Sequence, residues 1–256
     1  MTDQRVLRVE IDGGAVSDEQ FRYLALHSYG HFTAMQVRAG AVRGLDLHLA
    51  RLNTANQDMF GAELDPDLIR AHIRHALGDL ADASVRTHVV LSEGDVPVVL
   101  VTVRPPAGMS GAPQRLRSVP YQRPLPHIKQ VGGGFGQVYY RRLAQHDGCA
   151  EVLLTGPDGV IAEGGVTNVG FFDGSGVVWP DAPALMGITM RLLERGMPSR
   201  RDTVRLADLP TFEGVFVANS RGIAPVERVD ELRIPVAVDR MKAVDEVYEA
   251  VPWDRI

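Results

Sequence analysis

The chain has 256 residues, a formal net charge of −5, 45% hydrophobic and 23% charged residues. That size supports one large domain or two small ones, and that composition is ordinary for globular proteins, so disorder and fibrous repeats are excluded. No apolar run approaches the roughly 18 residues of a membrane span, and no basic tail or aromatic-basic interleaving favours a nucleic-acid partner.

Val6–Ile11 is expected to form a strand that turns at Asp12-Gly13-Gly14. Phe32–Arg38 follows as a second strand. Leu45, Leu49, Leu52 and Met59 then recur at helical spacing, with Gly61 placed to stop that helix. Asp65 and Pro66 announce the next, which Ile69, Ile73, Leu77 and Leu80 continue. Val85–Leu91 and Val96–Arg104 pair around Glu93-Gly94-Asp95. Breaker-rich stretches at 105–113 and 120–126 separate two halves, giving residues 1–118 as an N-terminal α/β domain, 119–126 as a linker and 127–256 as a C-terminal domain. In the second half a helix spans about 135–145. Short strands follow at 152–155, 160–162, 169–172 and 177–179, then a helix near 188–195, a strand at 215–219 and a helix near 239–250. The fold class expected is mixed α/β.

Met1-Thr2-Asp3-Gln4-Arg5 shows no basic segment leading into an apolar stretch, and a lone cysteine, Cys149, cannot form an internal disulfide. A cytoplasmic protein is expected, with Cys149 a small buried hydrophobe. His72 and His75 lie three apart on one helix, but Arg70 and Arg74 flank them and repel a cation, so no metal is expected. Only two lysines, Lys129 and Lys242, stand among 27 basic residues. Arginine cannot replace lysine where an amine must lose its proton and attack a carbonyl. Lys242 lies in a polar stretch and reads as surface. Lys129 lies in Leu125-Pro126-His127-Ile128-Lys129-Gln130-Val131-Gly132-Gly133-Gly134, loop-like and partly apolar.

The remaining candidates form an ordered series: Arg51, Lys129, Glu163, Thr167-Asn168, Gly187-Ile188-Thr189 and Asn219-Ser220. Singly, each has a plainer explanation: Arg51 a surface residue, Glu163 a strand end, Gly187 a loop. Together with Tyr29-Gly30-His31-Phe32-Thr33, His48-Leu49-Ala50-Arg51-Leu52, and Asp158-Gly159-Val160-Ile161-Ala162-Glu163-Gly164-Gly165-Val166-Thr167-Asn168, they resemble the fold-type IV pyridoxal-phosphate enzymes. That group comprises branched-chain and D-amino-acid aminotransferases and aminodeoxychorismate lyases. The resemblance covers nearly the whole chain.

The resemblance implies a small N-terminal α/β domain, a larger C-terminal domain with a barrel-like sheet, pyridoxal 5'-phosphate as cofactor and a homodimer with the pocket between the domains. It implies a Schiff base between Lys129 and the cofactor aldehyde, and small amino and keto acids as substrates. Glu163 would face the pyridine nitrogen and keep it protonated, so that the ring draws electrons from the substrate. Arg51 would supply a guanidinium fork to the phosphate. Gly187, Ile188 and Thr189 would add helix N–H groups and a hydroxyl, and Asn219 or Ser220 a further donor. Thr167 and Asn168 would support the ring and its loop.

This chain departs from the family's patterns in places. Branched-chain enzymes carry an arginine where this chain has Gln36. Gln36 and Arg38 share a strand face, so Arg38 is a stand-in for that cation or a surface residue. Phe32 and Thr33 resemble the lyase members, in which a threonine assists proton transfer, and Asn219 also follows that pattern. Transamination is the activity expected. A lyase releasing pyruvate, or a catalytically idle homologue serving as a binding protein, are the alternatives.

Overall fold

The structure, a computed structural model, describes residues 5–132 and 134–256. The readings of Met1–Gln4 and of Gly133 fall outside them. The chain forms two compact units: Met1–Ala107 with Ile128–Gly132 and Pro252–Ile256, and Gly108–His127 with Gly133–Val251. Two short segments remote in sequence therefore pack with the first unit. Each does so by pairing with a strand there.

The first unit contains β1 (Arg8–Ile11), β2 (Gly14–Ala15), α1 (Asp18–Leu26), β3 (Gly30–Val37), β4 (Ala41–Arg43), α2 (Leu45–Phe60), α3 (Pro66–Leu77), β5 (Ala83–Leu91) and β6 (Pro97–Arg104). An antiparallel sheet runs in the order β2-β1-β6-β5-β3, and the last strand, Trp253–Arg255, pairs with β4. Side chains alternate across it. Met35, Val37, Val85, Val89, Val101 and Val103 bury one face against Leu52 of α2 and Ile69 and Ile73 of α3. The other face carries Phe32, Ala34 and Gln36 in register with His88, Arg86 and Ser84. α2 stops where Gly61 takes φ 66°, the left-handed value glycine adopts without strain. α3 begins on Asp65, whose carboxylate accepts from two backbone N–H groups. It ends at Leu77 rather than near Leu80, because Gly78 caps it; Leu80 still packs on the core. α1 escaped the sequence reading. It has a capping box at Ser17 and Gln20 but buries no residue, so it leaves no apolar period.

The second unit contains β7 (Gln114–Pro120), α4 (Phe135–His146), β8 (Glu151–Thr155), β9 (Ile161–Gly164), β10 (Asn168–Asp173), β11 (Gly176–Pro180), α5 (Ile188–Gly196), β12 (Ser199–Asp202), β13 (Gly214–Asn219), β14 (Gly222–Val229), β15 (Leu232–Arg233) and α6 (Val238–Glu249). Its mixed sheet runs β12-β11-β10-β13-β14-β7-β8-β9, and β9 returns against β10 and β11, so the sheet curls. Along β13, Val215 and Val217 face one apolar cluster while Phe216 and Ala218 face another, with Met190 and Leu193 of α5 and Met241 and Val244 of α6. β7 and β12 were missed. β7 has only Leu116 and Val119 as inward residues and owes its place to parallel pairing with β8 and β14, which local pattern cannot reveal. β12, Ser-Arg-Arg-Asp, is a polar, exposed edge strand. Cys149 is half-buried rather than fully buried, because it sits at the rim of the Val119–Ala144–Val152–Leu154 cluster. Among the described residues no helix is long and apolar enough to cross a membrane.

Candidate active site

Lys129 lies on a segment that adds to the edge of β3. The Phe32 N–H donates to the Lys129 carbonyl at 2.8 Å, and the Val131 N–H donates to the Gly30 carbonyl at 2.9 Å. Two backbone bonds thus fix a lysine on what would otherwise be a loop. Ile128 beside it is fully buried. Lys129 is half-buried, with Nζ 4.9 Å from the centre of the Phe32 ring. The His88 ring stacks on Phe32 at 5.1 Å, and the Arg86 guanidinium lies 5.7 Å from it. Burial, then Arg86, Arg104 and His31, push the His88 imidazole down to about 3, so it is neutral at pH 7. This sheet face joins an amine to an aromatic floor and arginine. Lys242, by contrast, is 76% exposed and lies 3.8 Å from Glu246 on its own helix.

Thr33, the next residue on β3, turns to the other face. It is 0% exposed, and its Oγ1 lies 2.7 Å from His48 Nδ1 on α2. The Arg51 Nη2 donates to the same oxygen. His48 and Arg51 are three residues apart, on one side of the helix. Burial first, then Arg51 and Lys129, hold the His48 imidazole well below the usual histidine range. Gln36 and Arg38 are tied to the segment after β6: the Ala107 N–H donates to Gln36 Oε1 at 3.0 Å, and Arg38 Nη2 donates to the Ala107 carbonyl at 3.3 Å. Gln36 Nε2 also donates to Ser84.

In the second unit, Glu163 on β9 is buried. Its Oε1 accepts from Arg123 Nη1 at 3.1 Å and its Oε2 from the Leu185 N–H at 3.3 Å. Both side chains of this ion pair are nearly excluded from solvent, 7% exposed for Arg123 and 6% for Glu163. Arg123 Nη1 also donates to the Pro126 carbonyl at 2.9 Å. Asn168 Nδ2 donates to the Leu185 carbonyl at 2.7 Å, and Asn219 Nδ2 to the Val166 carbonyl at 3.1 Å. Thr189 Oγ1 donates to the Asn219 carbonyl at 2.8 Å. The Thr189 hydroxyl therefore fastens α5 to the end of β13. The first N–H groups of a helix lack intrahelical partners, and at α5 these donors belong to the turn that begins at Gly187. Gly187 is needed there: a Cβ would meet Asn168 Oδ1 at 1.9 Å. Ser220 follows in the turn between β13 and β14.

The structure brings together Lys129 with Phe32, and Thr33 with Arg51. In the other unit it joins Glu163, Asn168, Gly187, Thr189 and Asn219 through the 163–168 and 185–189 segments. Sequence reasoning missed Arg123, His48, Arg86 and Arg104. His48 had a usable signal, its position one helical turn before Arg51. Arg123 had none, since its partner is 40 residues away. These groups fit pyridoxal phosphate by type: an amine for its aldehyde, a buried carboxylate for its ring nitrogen, a guanidinium and a helix N-terminus for its phosphate. Thr167 Oγ1 is buried and has no hydrogen-bond partner among the described residues, a polar group suited to a ligand.

The sequence matches the family model for class IV amino-transferases over residues 30–229. No curated protein matches it at a significant level. Solved structures share the fold. A hypothetical aminotransferase from Mycobacterium tuberculosis, in a PLP-bound form, superposes with a TM-score of 0.79 at 20% identity, covering 96% of this chain and 98% of that one. The branched-chain amino acid aminotransferase from Escherichia coli gives 0.80 at 17% identity, over 94% and 92%. A Legionella pneumophila protein assigned as a 4-amino-4-deoxychorismate lyase gives 0.79 at 18% identity, over 93% and 96%. Because the family model spans most of its length, the chain belongs to the class IV aminotransferases, a family that uses pyridoxal phosphate.

Proposed function

We propose that the protein is a pyridoxal-phosphate-dependent aminotransferase that moves an amino group between an amino acid or amine and a keto acid, with Lys129 as its reactive amine. One observation carries this: the rarer of the two basic residue types occurs at a half-buried position pinned by two backbone bonds, inside the span that matches the family. Bound pyridoxal phosphate supplies an aldehyde that takes up amines and a ring that withdraws electrons from the substrate carbon. Lys129 Nζ would be the amine that holds the cofactor and would carry a proton to and from the substrate carbon.

Glu163 holds the proton at the ring nitrogen. Leu185 N–H and Arg123 keep its carboxylate in one orientation. Arg51, the Gly187-Ile188-Thr189 turn and Ser220 bind the phosphate, with Thr167, Asn168 and Asn219 supporting the segments that carry them. Phe32 provides an apolar wall for the substrate, with Gln36 and Arg38 at the far end of the same strand. Thr33 is bonded to Arg51 on the opposite face of the strand from Phe32. The exposed apolar stripe Phe135, Val138, Tyr139 and Leu143 on α4 supports a homodimer, and the enzyme is assigned to the cytoplasm.

The second reading keeps the cofactor and makes the chain a lyase that releases pyruvate, favoured by Phe32-Thr33 and Asn219. The experiment is a spectral titration. A suitable amino donor alone should bleach the cofactor's visible absorbance stoichiometrically, and a keto acid should restore it. Repeated turnover of aminodeoxychorismate with pyruvate release and no lasting bleaching would instead establish the lyase. Cofactor binding with neither response would leave the idle homologue.

A further inference from the structure

We infer that Thr33 and His48 are positioning residues for Arg51: a buried hydrogen-bond chain from Arg51 through Thr33 to His48 fixes the guanidinium and directs the Thr33 proton away from the reacting atoms. The inference rests on the proposed role of Arg51 as the phosphate cation.

Donor and acceptor counting orders the chain. A threonine hydroxyl has one proton and two lone pairs, and a guanidinium can only donate. Arg51 Nη2 donates to Thr33 Oγ1, so the second contact, 2.7 Å to His48 Nδ1, must take or give one proton. If Nδ1 carried a proton, both lone pairs would be filled and the Thr33 hydroxyl would need a third partner. Thr33 is 0% exposed, so water does not serve, and among the described residues no other acceptor is bonded to Oγ1. Leaving that donor unmet would carry the full desolvation penalty of a buried hydroxyl.

The arrangement without such a loss has Thr33 donating into Nδ1, with the His48 proton on Nε2. Burial first, then nearby Arg51 and Lys129, keeps the ring uncharged, as an acceptor at Nδ1 must be. A donated bond from a cation also polarises the hydroxyl, strengthening the bond it donates in turn. The chain crosses from strand to helix: Thr33 lies on β3, and His48 and Arg51 lie one turn apart on α2. Thr33 thus ties the Arg51 side chain to the sheet bearing the Lys129 segment. Its proton is committed to His48, which separates it from the proton-carrying role that the lyase resemblance implies.

The test is made on the full-length protein. Imidazole 15N shifts in the labelled enzyme should show His48 Nδ1 bare and Nε2 protonated; a proton on Nδ1 would overturn the inference. Affinities for pyridoxal phosphate and for pyridoxal, which lacks the phosphate, are then compared. Arg51→Gln and Thr33→Val should each weaken pyridoxal phosphate by about tenfold or more and leave pyridoxal within about twofold, and the double variant should be no weaker than Arg51→Gln alone. Thr33→Ser should restore affinity. His48→Leu, which leaves Thr33 in place, should weaken it in the same selective way should Thr33→Val misfold. Loss in Arg51→Gln with none in Thr33→Val and His48→Leu would overturn the inference alone. Unchanged affinity in Arg51→Gln would remove both the phosphate assignment and the inference built on it.

Discussion

The two clusters are built differently. Around Glu163, side chains hold backbone: Asn168 binds the Leu185 carbonyl, Asn219 the Val166 carbonyl, Thr189 the Asn219 carbonyl. Around Lys129, backbone holds the lysine through the Gly30 and Phe32 bonds, and side chains hold one another, as in Arg51–Thr33–His48. The first pattern shapes a rigid cradle. The second sets the protonation and direction of a few groups. Substitutions in the two places should therefore fail in different ways: in chemistry near Lys129, and in structure among the residues that frame Glu163.

The largest effect is expected at Lys129. Lys129→Ala should lower turnover by at least about a thousandfold, since proton transfer alone contributes roughly 10²–10⁴, while cofactor remains bound without a covalent link. Lys242→Ala should leave turnover unchanged, as its exposed side chain lies 3.8 Å from Glu246 on its own helix. Comparable activity loss in both variants would break the contrast.

Arg123→Met should instead appear in stability. Removing one partner of a buried ion pair costs about 3–5 kcal/mol, and chemical denaturation would show the midpoint falling accordingly. A variant of normal stability would mean that the Glu163 side is not an interlocked frame. Glu163→Gln keeps the shape and removes the charge. It should retain cofactor and lose about a hundredfold in turnover, about 2.7 kcal/mol of barrier, measured by the rate of bleaching with donor.

The smallest effect per group is set by pH. His31 is pushed down to about 4 by burial, against the Asn56 hydrogen bond that raises it, and His88 to about 3. The unfolded chain takes up these protons below about pH 6.5 while the folded protein does not, so their contribution is intact above that pH and is lost as pH falls. Each should reduce stability by about 1.4 kcal/mol per pH unit toward those values. Glu151, whose carboxyl is raised mainly by burial, works in the opposite sense at the acid end. Denaturation between pH 7 and 5 should show the decline, and His88→Gln should make it shallower. An unchanged slope would mean that His88 titrates normally.

Much of this was legible in the residues. The strands around Glu93-Gly94-Asp95, the Asp65–Pro66 helix start and the Gly61 stop follow from local rules, and their bounds lie within a few positions of those read. The residue types of the site stood out because lysine is rare and because Glu163 and Gly187 fall in a recognisable order. What stayed hidden depends on distant pairing. β7 exists because β8 and β14 flank it, Arg123 matters because Glu163 meets it 40 residues on, and Thr33 turns to His48 only once β3 packs on α2. Periodicity speaks of a residue's own element, not of the side chain that will face it.

The central claim is that Lys129 is the amine that holds the cofactor. It is tested most directly by reducing the pyridoxal-phosphate-loaded protein with borohydride and mapping the labelled peptide. The account predicts one label, on Lys129, with Glu163→Gln labelled at the same residue. A label on Lys242, or none despite bound cofactor, would contradict it.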